Sequence, residues 1–147
     1  MSNAIVALPR PVRILLRVMW LPVEKLVECA TGVQSGASAC IGGGLYVGHF
    51  GCIVVSGRAV LGEKCNLSQG VTIGIAGRGK NRGAPTLGSR VYVAAGAKII
   101  GGIHIGDDVA VGANAVVTKD VESGVTVGGV PARVIARVGS QDFIEVG

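Results

Sequence analysis

Two histidines, four cysteines and one glycine-rich cationic stretch hold most of the chemistry that this chain of 147 residues offers. His49 lies in GLYVGHFG and His104 in GGIHIG. An imidazole titrates near neutral pH, so it can take a proton from a hydroxyl and return it to a leaving group. A lone histidine can equally be a packed structural residue, and residue type alone leaves both readings open. Cys52 follows His49 by three residues and would be a thiol nucleophile if the chemistry needed one, which it does not. Cys29, Cys40, Cys52 and Cys65 stand 11 to 13 residues apart with no close pair, a spacing of neither a zinc site nor a disulfide frame; they read as reduced and mostly buried. The third group is the stretch 75–86, IAGRGKNRGAPT, in which Arg78, Lys80 and Arg82 alternate with small residues. It reads as a functional loop or as a solvated excursion.

What must position these groups is a repeat. An aliphatic residue recurs every six positions at Leu87, Val93, Ile99, Ile105, Val111 and Val117, and upstream at Ile41 and Val47, then Val55, Leu61, Leu67 and Ile73 after a two-residue insertion. The next residue is usually small, as at Gly42, Gly62, Gly88 and Gly106. A second inward position follows four residues after each aliphatic, for example Ala59, Cys65, Val71, Val91, Ala97, Val109 and Ala115. A period of six fits neither a helix nor plain strand alternation. It predicts short strand, tight corner, short strand, with three sides closing a coil of about 18 residues and coils stacking at the parallel-strand spacing of roughly 4.8 Å. The expected fold is all-β, a parallel β-helix, with the insertion 75–86 bulging from a corner.

Composition agrees with that core. The chain has 25 glycines, and 49% of its residues are hydrophobic while only 3% are aromatic. These numbers exclude an aromatic core and disorder, and the glycines lack the strict three-residue period of collagen. Charged residues Arg10, Arg13 and Arg17 and then Pro22 interrupt the most apolar stretch, so no membrane span or secretory leader is expected and the cytoplasm is the default compartment. Residues 1–33 form an N-terminal segment in which 11–29 read as one or two helical turns broken by Pro22, a cap on the stack in preference to a membrane-surface contact. The repeat domain spans 34–136, and the tail 137–147 lacks the repeat and reads as loosely held. A net charge of +5 favours an anionic partner, but clustered aromatics and a helix-turn-helix pattern are absent, so nucleic acid is not expected.

The stretches IGGGLYVGHFGCIVVSGRAVLGEKCNLSQGVTIG, VYVAAGAKIIGGIHIGDDVAVGANAVVTKDV and GVPARVI resemble the hexapeptide-repeat acyltransferases, most closely the serine acetyltransferases, over residues 34–136. The resemblance implies a left-handed parallel β-helix, a homotrimer, and acetyl-CoA as co-substrate in a groove between neighbouring subunits, with no metal. It places His49 where the family has its general base, for direct acetyl transfer to the hydroxyl of a small-molecule acceptor. It also implies CoA contacts from Gly74, the backbones of Ala95 and Ala113, Lys119, the Gly129–Pro131 turn and Arg133, with Arg78, Lys80 and Arg82 in the acceptor loop; Lys98 is a weaker candidate. The long helical N-terminal domain of the family is nearly missing here, which implies a trimer and not a hexamer. The chain ends in Gly147 and not in the isoleucine through which serine acetyltransferases dock a sulfhydrylase.

The departures shape the expected acceptor. Gln34 stands where the resemblance puts the carboxylate that supports the histidine, Gly48 replaces the acidic residue before it, and Ala84 replaces a histidine of the acceptor loop. A Gln carbonyl can hold the imidazole tautomer but supplies no charge. Serine is the family acceptor, and a sugar or polysaccharide precursor is the alternative. A non-catalytic β-helix scaffold is a second alternative. The zinc carbonic anhydrases share the fold but need three histidines on one ion, whereas His49 and His104 are 55 residues apart, about three coils.

Overall fold

The computed structural model describes residues 9–77 and 82–144. Arg78 and Lys80 fall outside the described residues. From Val33 the chain winds as a three-sided parallel β-solenoid. The first face stacks Val33–Ser35, Ile53–Val55, Thr72–Gly74, Lys98–Ile100 and Val116–Val117. The second stacks Cys40–Ile41, Val60–Leu61, Thr86–Leu87 and His104–Ile105. The third stacks Tyr46–Val47, Asn66–Leu67, Tyr92–Val93, Ala110–Val111 and Thr126–Gly128, with Arg133–Ala136 added antiparallel at its end.

The six-residue aliphatics become ladders in register. On the first face Val55 pairs with Ile73, Ile73 with Ile99 and Ile99 with Val117. The second face carries Ile41, Leu61, Leu87 and Ile105, and the third Val47, Leu67, Val93, Val111 and Val127. Ile73, Val93, Ile99, Ile105 and Val111 are fully buried, as are the second inward residues Cys65, Val71, Val91, Ala97, Val109 and Ala115. Only the opening coil departs, because Ile41 and Val47 have no coil beneath them and are exposed.

Three edges join the faces, and they are needed to place the site. The first edge, from first face to second, holds residues 36–39, 56–59, 75–85, 101–103 and 118–120. The second holds 43–44, 63–64, 89–90, 107–108 and 123–124. The third holds 48–52, 69–70, 95–96, 113–114 and 129–131. Each corner hangs on the one below: Gly70, Gly96 and Asn114 donate their N–H to the carbonyls of Gly51, Gln69 and Ala95 at 3.1, 2.9 and 2.9 Å. At the second edge Arg90 grips Asp108 with two bonds of 2.6 and 2.7 Å, holding the carboxyl below its ordinary range. That pair is largely solvated, so it adds little stability.

The small residues have a steric cause. A Cβ on Gly62 would lie 2.5 Å from the Gly88 carbonyl carbon and 2.6 Å from its oxygen. Neither is a flexible side-chain end, so the coils would have to separate. Gly62→Ala should therefore cost roughly 2–3 kcal/mol in chemical denaturation, and an unchanged midpoint would contradict the close-stacking account.

Three expectations are corrected. The N-terminal segment is not one or two turns broken at Pro22 but a continuous helix, α1, over Arg10–Thr31. Pro22 removes one backbone donor, and the bonds on either side carry the helix through. It starts with Pro11 in its first turn and stops at Gly32, whose φ of 64° lets its N–H reach the Glu28 carbonyl at 2.8 Å. The described part of the tail, 137–144, is not loose: Ser140 is fully buried, and its N–H donates to the Asp108 carbonyl at 3.0 Å. Thr126 Oγ1 donates to the Val138 carbonyl, Phe143 stacks on Tyr92 at 5.1 Å, and Asn66 Nδ2 donates to the Phe143 carbonyl. The reversal at Gly129–Ala132 sends the chain back along the third face, which supplies those partners. The cysteines are not mostly buried either. Cys29, Cys40 and Cys52 are exposed, and Cys65 alone is buried, where burial raises its thiol pKa. Cys65 occupies an inward ladder position, while Cys40 alternates outward and Cys52 lies in a corner.

Candidate active site

The two extra residues between Val47 and Val55 fall at the third edge, so the chain bulges through 48–52. A Cβ on Gly48 would lie 3.1 Å from the Tyr46 ring, and Gly51 and Cys52 adopt φ of 111° and 53°. The bulge lifts His49 and Phe50 out of the stack: His49 is exposed, and Phe50 is 72% exposed. The imidazole is outside the aliphatic interior, where it can meet a substrate.

The stacked corners decide which residues share its neighbourhood. Ala95, Ala113, Gly129 and Pro131 lie on the same third edge as His49, higher in the stack by two, three and four coils. At roughly 4.8 Å per coil, that places them about 10, 14 and 19 Å along the edge from the histidine. Arg133 follows this turn and is exposed. Along the edge the small residues Gly70, Ala95, Gly96, Ala113 and Gly129 alternate with the exposed Gln69, Asn114 and Val130.

Gly74, Arg82 and Lys119 are not on that edge. Gly74 ends a first-face strand at the first edge, where its carbonyl accepts the Gly101 N–H at 3.1 Å. Arg82 is exposed in the inserted loop, which Ala76 and Gly83 pinch shut through reciprocal backbone bonds of 3.2 and 3.1 Å. Lys119 lines a groove of about 680 Å³ beside Ala76, Gly101, Gly102, Thr118 and Asp120. The sequence reading missed this groove except for its lysine. Its signal was the stacking of the loop on the next corner, since a Cβ on Gly83 would lie 2.8 Å from Gly102 Cα. The first and third edges bound the first face, so within one chain the two groups are separated by a strand of three residues, roughly 10 Å.

Gln34 is exposed on the outer side of the first face. Among the described residues neither it nor His49 has a side-chain hydrogen bond, so the chain by itself does not form the Gln34–His49 pair. Lys98 reaches this same edge: its Nζ donates to the Gly70 carbonyl.

The profile of the family described as bacterial transferase hexapeptide (six repeats) matches residues 84–119. The serine acetyltransferase of Synechococcus elongatus is 43% identical over 117 residues, which are 80% of this chain and 48% of that protein. The serine acetyltransferase of Helicobacter pylori strain J99 is 40% identical over 115 residues, 78% of this chain and 67% of that protein. The chain belongs to the serine acetyltransferase family. A crystal structure of a Brucella abortus serine acetyltransferase in complex with coenzyme A superposes with a TM-score of 0.73 at 34% identity, covering 79% of this chain and 46% of that one. The chain spans about half to two thirds of the length of these serine acetyltransferases.

Proposed function

We propose that the protein is an acetyl-CoA-dependent O-acetyltransferase in which His49 is the general base. The observation that carries this reading is the exposed imidazole at the foot of an edge whose next four corners each carry a Gly or Ala, at Gly70, Ala95, Ala113 and Gly129. Acetyl-CoA fits that arrangement: Ala95 and Ala113 would flank the pantetheine arm, Gly129, Pro131 and Arg133 would meet the nucleotide end, and the thioester would end beside His49. The bound thioester supplies the activated acetyl group. His49 takes the acceptor hydroxyl proton as that oxygen attacks the carbonyl carbon; the C–S bond then breaks, and the same proton passes to the departing sulfur. Backbone N–H groups of the glycine-rich coil or loop would stabilise the oxyanion.

The residues on the first edge enter through a second copy. Contacts in a three-fold ring are heterologous, joining unlike patches. A homotrimer that sets one chain's third edge against its neighbour's first edge, coil for coil, would bring Lys119 to the 129–131 corner at the nucleotide end, and Gly74 with the 75–86 loop to the middle of the edge above His49. Replacing Lys119 with alanine should raise KM for acetyl-CoA about tenfold by removing one charge-assisted phosphate contact, with kcat little changed. A KM unaltered in steady-state assays would remove Lys119 from the site. We place the reaction in the cytoplasm, in keeping with four unpaired cysteines.

The acceptor bears a hydroxyl. Serine is the reading the relatives support, and one set of observations favours a neutral sugar: Gln34, Gly48 and Ala84 leave few charges to hold an ammonium and a carboxylate, while Phe50 offers an exposed ring beside His49. Thiol release from acetyl-CoA across L-serine, homoserine, amino sugars and simple saccharides tests both. Turnover with none of them, alongside failure to bind CoA, would leave a scaffold.

A further inference from the structure

Along α1 seven large apolar residues, Val12, Leu15, Leu16, Met19, Val23, Leu26 and Val27, recur at helical spacing and are all exposed, between 41% and 70%. At 100° per residue these seven share one side of the helix, an arc about 120° wide, while Ile14, Val18 and Leu21, exposed as well, lie on the other side among the charged residues. The body of the protein leaves this side exposed: the main contact of α1 with the solenoid is at its first strand. A helix expected to cap the stack instead leaves its apolar side without a partner among the described residues.

We propose that α1 lies in the headgroup layer of an anionic lipid bilayer, apolar side inward. Charge favours lipid over a second copy of the helix. Positions 10, 13, 17 and 25 are basic and 24 and 28 acidic, with the arginines gathered in the first two turns, and the whole chain carries +5. The arc is also wider than the a/d seam that a helix bundle of copies needs. Trp20, 63% exposed, borders the arc where an amphipathic ring sits at a membrane interface. The helix is about 33 Å long, and no described helix is long and apolar enough to cross a membrane, so it would lie flat.

Trp20 is the only tryptophan in the chain, so its emission reports on α1 alone. The full-length protein should show a blue shift of Trp20 emission with vesicles of phosphatidylcholine and phosphatidylglycerol, and quenching when the phosphatidylcholine is brominated. Affinity should fall at least tenfold on vesicles of phosphatidylcholine alone or in high salt. The double substitution Leu16→Glu, Met19→Glu should abolish the shift, whereas Glu24→Gln with Glu28→Gln should strengthen binding severalfold; far-UV circular dichroism checks that each variant keeps the wild-type fold. Emission unmoved by anionic vesicles overturns the proposal, as does equal binding to neutral vesicles. An emission that is already blue-shifted in solution, falls with dilution of the protein and ignores brominated lipid would assign the helix to a second copy.

Discussion

Replacing His49 with alanine should lower kcat for acetyl transfer by about a thousandfold, within the range general-base removal costs, while leaving CoA affinity largely unchanged. The split follows from the structure. His49 projects from a bulge held by Gly48, Gly51 and Cys52, and it contributes nothing to the buried ladders. Its loss should therefore leave the fold and the edge from Ala95 to Pro131 intact. Calorimetric CoA binding beside a thiol-release assay reads both quantities. Retained turnover would remove the general-base assignment; loss of both activity and CoA binding would show that the bulge is structural and not chemical.

The largest stability loss is expected at Ile99. Its side chain is fully buried between Ile73 below and Val117 above, and the interior is packed from aliphatics without one aromatic ring. Truncation to alanine leaves a cavity that neighbours clamped by strand pairing on both sides cannot close, costing roughly 3–4 kcal/mol. Ile99→Val, which removes one methylene, should cost about 1 kcal/mol. Equal losses for the two variants in denaturant titration would show that the ladder relaxes into the space, contrary to a tightly registered core.

Phe50 and Ser140 show what a repeat leaves unsaid. Both stand outside the six-residue pattern, so the period assigns them no position. Phe50 is carried outward because the insertion has no ladder position to fill, while Ser140 is buried because the chain reverses after Gly129 and meets the carbonyls of Arg90 and Asp108. Pro22 marks a related limit. A residue that weakens a helix locally does not end it when the turns on both sides propagate.

The sequence by itself determined the coil: an aliphatic every sixth residue, a small neighbour at the corner and stacked identical positions are local steric rules, legible wherever they recur. It also singled out His49, through its setting in GLYVGHFG. Only the tertiary structure decided which edge each candidate occupies, because that depends on the running sum of insertions at 48–52 and 75–85 around a three-sided turn. Hence Ala95 and Ala113 share an edge with His49 while Lys119 and Gly74 do not, and hence α1 keeps an apolar side that the stack never covers. Burial, unlike periodicity, is settled by what lies opposite in space, as Gly102 lies opposite Gly83 of the inserted loop.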